Sequence, residues 1–435
     1  MNTISFDVNQ TRPFKILNAI NNGPLHNPRT DDQYFDNLAL YKAARIPYAR
    51  NHDASFYSGY GGNHSVDVAF IFPDFDADPC DPASYDFACT DEYIMVTEMA
   101  GTKTFYRLGH HIEHEVKKYG TLPPKDFHKW AVICEHIIMH YNEGWANGFH
   151  YNLEYWEIWN EPNGDADDSS NKRCWGGTAK QFYDFYETAA KYLKNRFPHL
   201  KIGGPSLCAV FEWIEPFFSE MQKRGVPFDF ISFHTYVETP EVMLYRANRL
   251  HEVLEKCGYG DVPLINNEWN YIRNWNTQFV YSIRQIISMK GAAFTAACMC
   301  AAQESVIDML MYYDARPCKF NGLFDFYTLD PLKGYYPFLW FGGFYDGYES
   351  AKRTDESENL YALCGVNREG KRRVMAVHYN KDEDIPAKQV RFDLGAPGRF
   401  RVTVLDRDRS NEPIGETEDL TFDLPNLTAL LLEEI

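Results

Sequence analysis

The sequence predicts an α/β chain built as a (β/α)8 TIM barrel followed by a small C-terminal antiparallel β-sandwich domain. Three observations lead there. Apolar, strand-like runs alternate with helix-periodic segments in eight units, spaced by roughly 35 residues outside one long loop. Beyond Ser350 the pattern changes to short stretches of alternating polarity between Gly, Pro, Asp and Asn turns. Two of the apolar runs end alike, in Trp159-Asn160-Glu161-Pro162-Asn163 and in Asn266-Asn267-Glu268-Trp269-Asn270.

In chain order, Lys15–Ile20 reads as the first strand and Asp31–Ala44 as an amphipathic helix. Ile46–Asn51 reads as the second strand, ending in Arg50-Asn51-His52. From Asp53 to Ala83 the chain is a long loop rich in Asp, Gly, Pro and aromatics, a length that is uncommon unless the loop shapes a site. Asp74, Asp76 and Asp78 imitate the start of a calcium loop, but Pro79 stands where glycine is needed and Tyr85 where glutamate is needed. Helix Thr90–Ala100, strand Thr104–Leu108, helix Lys125–Tyr141 and strand Leu153–Asn160 follow. Then come helix Thr178–Phe197, strand Leu200–Gly204, helix Phe211–Arg224, strand Phe228–His234, helix Pro240–Lys256 and strand Pro263–Glu268. A single long helix over Thr277–Gln303, a closing strand Ile307–Tyr313 and a covering helix Tyr335–Tyr345 complete the barrel. The domains are then 13–348 for the barrel and 349–435 for the β domain, with strands Leu360–Val366, Arg373–Tyr379, Gln389–Leu394, Phe400–Asp406 and Leu427–Leu432. Residues 1–12 carry the same alternation over Ile4–Val8 and are expected to join that β domain.

The 435 residues carry 43 basic and 61 acidic side chains, a net charge of −18 that argues against nucleic acid and acidic membrane surfaces as partners. The N-terminus has no basic and apolar regions of signal-peptide type, no apolar run approaches membrane-spanning length, and the expectation is a cytoplasmic protein. Its ten cysteines then read as reduced thiols, with Cys298 and Cys300 in a buried helix. Aromatics make up 16% of the chain, more than a core alone needs, and sugar-binding clefts use such rings as apolar platforms.

The two glutamates carry the chemistry. Each ends a strand, and the loops leaving the strand ends form the mouth of a barrel's site. A pair of carboxylates about 5 to 5.5 Å apart is what retaining glycoside hydrolysis requires, one as acid/base and one as nucleophile. The acid must hold its proton near neutral pH, which calls for burial or a neighbouring negative charge. No cofactor or metal enters such a reaction.

With those residues in view, the chain resembles the clan of retaining (β/α)8 glycosidases, and within it glycoside hydrolase family 39, the family of β-xylosidases and α-L-iduronidases. The strings Glu157-Ile158-Trp159-Asn160-Glu161-Pro162-Asn163 and Asn267-Glu268-Trp269 carry the resemblance. It implies Glu161 as acid/base, Glu268 as nucleophile and Asn160 as partner of the sugar's 2-hydroxyl. It matches Arg50 to the clan's strand-two arginine, which would keep the nucleophile ionised, and His234 and Tyr236 to its strand-six pair, with Tyr236 donating to Glu268. At the clan's strand-eight tryptophan this chain offers Tyr312. His52, His110, His111 and Trp269 are further sugar-contact candidates, and Arg107 and Glu113 follow the same third strand. The implied partner is an oligosaccharide, with a terminal β-xyloside first and an α-L-arabinoside as alternative, and the resemblance also allows a homo-oligomer.

Competing readings are weaker. His110-His111-Ile112-Glu113-His114 fits the H-x-x-E-H pattern of a zinc-protease class, yet Gly109 and the preceding strand place His110 in a loop rather than on a helix face. His136 and His140 share a helix face without the glutamate a zinc protease needs. Glu157, inside its strand, reads as a salt-bridge partner within the barrel. A sugar-binding barrel without catalysis is disfavoured because both carboxylates are present.

Overall fold

The computed structural model describes residues 1–30, 33–53 and 64–435. Eight parallel strands close into a barrel: Ile16–Asn21, Tyr48–Arg50, Lys103–Leu108, Tyr155–Ile158, Lys201–Leu207, Ile231–Val237, Leu264–Tyr271 and Met309–Tyr312, with the eighth hydrogen-bonded to the first. Helices Phe127–Asn142, Ala179–Arg196, Phe211–Lys223 and Pro240–Lys256 wrap the outside. Their starts follow from local chemistry: Asp126 accepts from Lys129 N, and Thr178 with Gln181 forms a reciprocal capping box.

The barrel interior is layered. Ala19, Phe105, Tyr155, Phe230, Ile265, Met309 and Met311 pack as an apolar floor. Above them lies a polar layer of Asn21, Arg50, Glu157, Ser206, Ser232 and Asn267, all fully buried. The larger apolar cluster fills the space between strands and helices.

Besides the hairpin His26–Thr30/Gln33–Asp36, a nine-stranded sheet runs in the order Glu412–Thr417, Phe400–Leu405, Thr428–Glu434, Arg372–His378, Leu360–Asn367, Tyr348–Arg353, Asn2–Arg12, Lys388–Asp393, Thr421–Leu424. It curls over its own core of Ile4, Phe6, Val374, Val390, Phe392 and Leu432 among others, so the two halves face each other as in a sandwich. The N-terminal strand joins the halves: it runs antiparallel to Tyr348–Arg353 and parallel to Lys388–Asp393, which makes the sheet mixed.

Several elements differ from expectation. The segment 31–44 is not one helix: Gln33–Asp36 pairs with His26–Thr30 as a hairpin, and only Leu38–Ala43 is helical, while residues 31 and 32 lie outside the described residues. The long helix splits at Ser288, which caps a second helix, into Phe279–Ile286 and Met289–Ala302 bent by 77°. Nearly every residue of the second helix is buried because the β domain covers it, with Phe294 against Tyr379 and the Cys300 thiol directed at Met375 O. Of the 53–83 loop, residues 54–63 lie outside the described residues; the rest contains a helical turn at Val68–Ile71 and a 3-10 turn at Pro82–Ser84.

Ile4 is fully buried on the joining strand. Ile4→Ala is expected to cost about 2–5 kcal/mol, read as a lower denaturant midpoint, and an unchanged midpoint would mean the strand is dispensable to the β domain.

Candidate active site

Regular strands alternate their side chains between faces, yet the site needs adjacent residues pointing inward, and two local distortions supply this. At the end of the fourth strand Trp159 and Glu161 take left-handed backbone angles, φ 75° and 46°. Trp159 is thereby turned into the helix layer, where its indole donates to Cys174 O and packs against Trp175 and Phe185. Asn160 and Glu161 both face the mouth. In the seventh strand the pairing register slips between Asn266 and Glu268, a bulge that lets Asn267 and Glu268 both face inward. The sixth strand needs no distortion, since Ser232, His234 and Tyr236 follow its period of two.

Arg50 occupies the centre with all five guanidinium N–H groups used. Nε donates to Glu157 at 2.6 Å, one terminal nitrogen to Asn21 at 3.1 Å and Glu268 at 3.2 Å, and the other to Asn160 at 2.7 Å and Ser206 at 2.9 Å. Glu157 also accepts from Ser232 at 2.5 Å and Asn267 at 2.6 Å, so it is the buried salt-bridge partner its place in the strand suggests. The Tyr236 hydroxyl donates to the other oxygen of Glu268.

Glu161 and Glu268 face one another across His234. A carboxylate oxygen of each and a His234 ring nitrogen lie within 4.8 Å of one another. His234 Nδ1 and Glu161 Oε1 share a 2.7 Å hydrogen bond, and His234 Nε2 stands 3.6 Å from Glu268 Oε2. The second oxygen of Glu161 faces thiols, with Cys174 Sγ at 3.9 Å and Cys208 also bonded to the carboxylate. Burial pushes the Glu268 carboxyl up to about 7, aided by the charge of Glu161 and opposed by His234, Arg50 and the Tyr236 hydroxyl. Burial acts on Glu161 too, but its pairing with His234, the Cys208 hydrogen bond and the Arg50 charge outweigh it and hold that carboxyl below its ordinary range. This reverses the expected order, in which Glu161 would be the raised member and Arg50 would keep Glu268 ionised. The two carboxyls stand close enough to titrate as a coupled pair.

A second polar wall stands beside them. Arg107 donates to Asp67 at 2.6 Å and to His52 O at 2.8 Å; His111 Nδ1 and Asp67 share a 2.5 Å bond, and His110 Nε2 lies 3.6 Å from the same carboxylate. Asp53 accepts from the Tyr313 hydroxyl at 2.5 Å and is faced by Arg316. Burial holds the His52, His64 and His110 imidazoles below their usual range, while ionic neighbours and hydrogen bonds keep Asp53 and Asp67 ionised. The donor atoms of Asp67, His110 and His111 are close enough to suggest a metal centre. Asp67 is already paired with Arg107, however, and its 2.5 Å contact with His111 is shorter than the roughly 3.3 Å between two ligands of a tetrahedral zinc. Among the described residues, His52 Nε2, Arg107 NH1, Asn160 Nδ2 and His234 Nε2 are buried without a hydrogen-bond partner. Such orphans at one barrel mouth are the contacts a polyhydroxylated ligand would satisfy.

Of the sequence candidates, Glu161, Glu268, Arg50, His52, His110, His111, Asn160, His234 and Tyr236 gather at this mouth. Trp269 and Tyr312 do not. They are neighbours in register on the outer face of the barrel, packed against each other and against Phe294 and Phe338. The strand-eight ring that faces the site is Tyr313, near Tyr236 and Phe320. Glu113 is also outside the site, accepting from the backbone N–H groups of Tyr119 and Thr121. Asp67, Asp53 and Tyr313 were missed, because neither a loop position nor the facing of strand eight is set by local sequence spacing.

Fold and site together define a (β/α)8 barrel with paired carboxylates at its mouth, Asn160-Glu161 just beyond strand four and Glu268 within strand seven. The profile of the family described as glycosyl hydrolases family 39 matches residues 83–333, and the chain belongs to that family. A β-xylosidase of Geobacillus stearothermophilus is 29% identical over 178 residues, covering 35% of this chain and 33% of that protein. One of Caldicellulosiruptor saccharolyticus is 26% identical over 189 residues, covering 39% and 34%. The matched segments thus span about a third of the length of each relative. Among solved structures, a glucosidase from Croceicoccus marinus superposes with a TM-score of 0.78 at 22% identity over 100% of this chain and 98% of that one. A family 39 β-xylosidase from Caulobacter crescentus gives 0.67 at 16% over the whole of both chains, and an α-L-arabinofuranosidase from Thermotoga maritima 0.70 at 14%, again over the whole of both. These likenesses establish the shared fold.

Arg50→Ala would strip Glu157 of its buried counter-charge and is expected to destabilise the protein by about 3–5 kcal/mol, measured by chemical denaturation. Arg50→Lys should recover little of this, because an ammonium has three donors and no fork; full recovery would show that charge alone holds the layer.

Proposed function

We propose that the protein is a retaining exo-glycosidase that hydrolyses terminal glycosides of oligosaccharides by double displacement, with a β-xyloside as preferred substrate. The observation that carries the reading is the half-buried Glu161 and the buried Glu268 with an oxygen of each carboxylate within 4.8 Å of the other, compatible with the close spacing of a covalent mechanism. Glu268, gripped by Arg50 and Tyr236, attacks the anomeric carbon, and Glu161 protonates the leaving oxygen. Once Glu268 is esterified its charge is gone, and Glu161 takes a proton from the water that cleaves the ester.

The charge inventory favours a neutral sugar over a uronic acid. Arg50 is balanced by Glu157 and Glu268, Arg107 by Asp67, Arg316 by Asp314 and Asp53, and Arg173 by Asp165. Lys172 donates to Gly177 O. Family 39 relatives named as β-xylosidases support the pentose choice, and α-L-arabinopyranosides present the same ring stereochemistry. Ten cysteines, all free, support a reducing compartment such as the cytoplasm.

A 2-deoxy-2-fluoro xyloside with a dinitrophenyl leaving group should label Glu268, and NMR of the first-formed product should show retained anomeric configuration; an inverted product would sink the mechanism. Glu268→Gln should abolish turnover without lowering thermal stability, since it removes a carboxyl that burial disfavours when charged. Glu161→Ala should spare dinitrophenyl xylosides relative to alkyl xylosides and respond to azide.

The pH profile of kcat/KM should be bell-shaped. Activity needs one proton on the pair: it is lost as pH rises through about 7, the value to which Glu268 is pushed, and a second proton is gained only below the ordinary carboxylate range, where Glu161 titrates. A plateau extending well above pH 8 would contradict the shared proton.

A further inference from the structure

The mechanism requires a proton on Glu161 and the anion on Glu268, and one side chain stands between the two. His234 presents Nδ1 to Glu161 at 2.7 Å and Nε2 to Glu268 at 3.6 Å. Its side chain is 2% exposed, and Nε2 has no hydrogen-bond partner among the described residues. We propose that His234 is a proton shuttle that moves the site's single proton between the two glutamates by switching imidazole tautomer, without release to solvent. This rests on the retaining reading above.

The transfer balances. In the resting form Glu268 is protonated, its O–H faces the bare Nε2, and Nδ1–H donates to the Glu161 carboxylate. In the productive form Glu161 is protonated and donates to the bare Nδ1, while Nε2–H faces the Glu268 carboxylate. Passing from the first to the second, the Glu268 O–H bond breaks and its proton forms Nε2–H; Nδ1–H breaks and its proton forms the Glu161 O–H. One proton has moved, the imidazole has exchanged one N–H for the other, and the net charge is unchanged. The 3.6 Å gap is a few tenths of an ångström beyond a hydrogen bond, the kind of slack that empty sites close on binding substrate.

The surroundings let either form exist. Arg50 from strand two and Tyr236 from strand six both donate to Glu268, stabilising its anion in the productive form. Among the described residues Glu161 hydrogen-bonds, besides His234, to the weak thiol donors Cys174 and Cys208, so a proton there displaces no strong donor. His52, from the second strand, also faces His234, and burial keeps it neutral. A glycosidic oxygen arriving beside Glu161 adds an acceptor for the O–H of the productive form alone, so substrate selects that form.

Ring 15N shifts of His234 in the histidine-labelled protein test this directly. Between pH 5 and 7 both nitrogens should show values averaged between N–H and bare, and saturation with 4-nitrophenyl 1-thio-β-xyloside should move them towards the Nε2–H tautomer. One fixed tautomer under both conditions, or a doubly protonated ring, would overturn the proposal. His234→Asn keeps a polar group towards Glu161 but cannot relay. It should lose about a hundredfold or more in kcat/KM on an alkyl xyloside at every pH. Its labelling by the dinitrophenyl fluoroxyloside, which needs only the Glu268 anion, should climb to the wild-type rate above pH 8. A uniform, pH-independent loss on both compounds would leave His234 a structural residue. Failure of the fluorosugar to label wild-type Glu268 would instead strike the retaining reading, while the tautomer measurement on the empty protein would stand by itself.

Discussion

A single buried guanidinium holds the barrel's upper half together. Arg50 ends strand two and bonds to Asn21 on strand one, Glu157 on strand four, Asn160 just beyond it, Ser206 on strand five and Glu268 on strand seven. Burying that charge is costly unless every N–H finds an acceptor, and here each does. Glu157 supplies a buried counter-charge beneath Glu268. A barrel interior can therefore hold two further carboxylates, because the polar layer beneath them is already neutral and closed off from the apolar floor.

That layer also explains why the backbone is distorted where it is. Left-handed angles at Trp159 and Glu161 and a bulge before Glu268 are unfavourable locally, and each doubles the number of inward side chains its strand end can offer. The anchors are apolar and outside the barrel: Trp159 is locked among Trp130, Trp175 and Phe185, and Trp269 between Phe294 and Tyr312. The tryptophans flanking the two glutamates are thus wedges that fix the strand ends, rather than sugar platforms.

This is also where the sequence was and was not legible. Barrel order, both glutamates, Arg50, Asn160, His234 and Tyr236 could be read because strand ends and period-two spacing are local features. Trp269 directly follows inward-facing Glu268 and so by period-two spacing faces out, while the facing of Tyr312 on strand eight depends on a register between strands that the sequence does not reveal. Asp67 sits deep in a loop whose composition suggested a site but gave no position. In the β domain, Glu412–Thr417 and Thr421–Leu424 went unseen because they are the two edges of the sheet, short and largely exposed, where alternation is not enforced. Segment 31–44 carried a helical period through residues that the chain instead folds as half of a hairpin.

The two glutamates are held differently, and the difference matches what the proposed double displacement asks of each. Glu268 lies within a strand, fixed by a guanidinium and a phenol, both of which remain donors throughout. It therefore needs one geometry, that of attack. In the proposed mechanism Glu161 gives a proton and later takes another, so rigid donors on both oxygens would lock it in one state. It meets instead one imidazole, which can donate or accept, and two thiols, which bind either form weakly. Lysine or arginine in place of the thiols would pin the anion and suppress protonation, and a wholly apolar pocket would pin the acid and suppress the second step. Weak partners on one oxygen and an ambivalent partner on the other leave the proton's position to be set by the substrate.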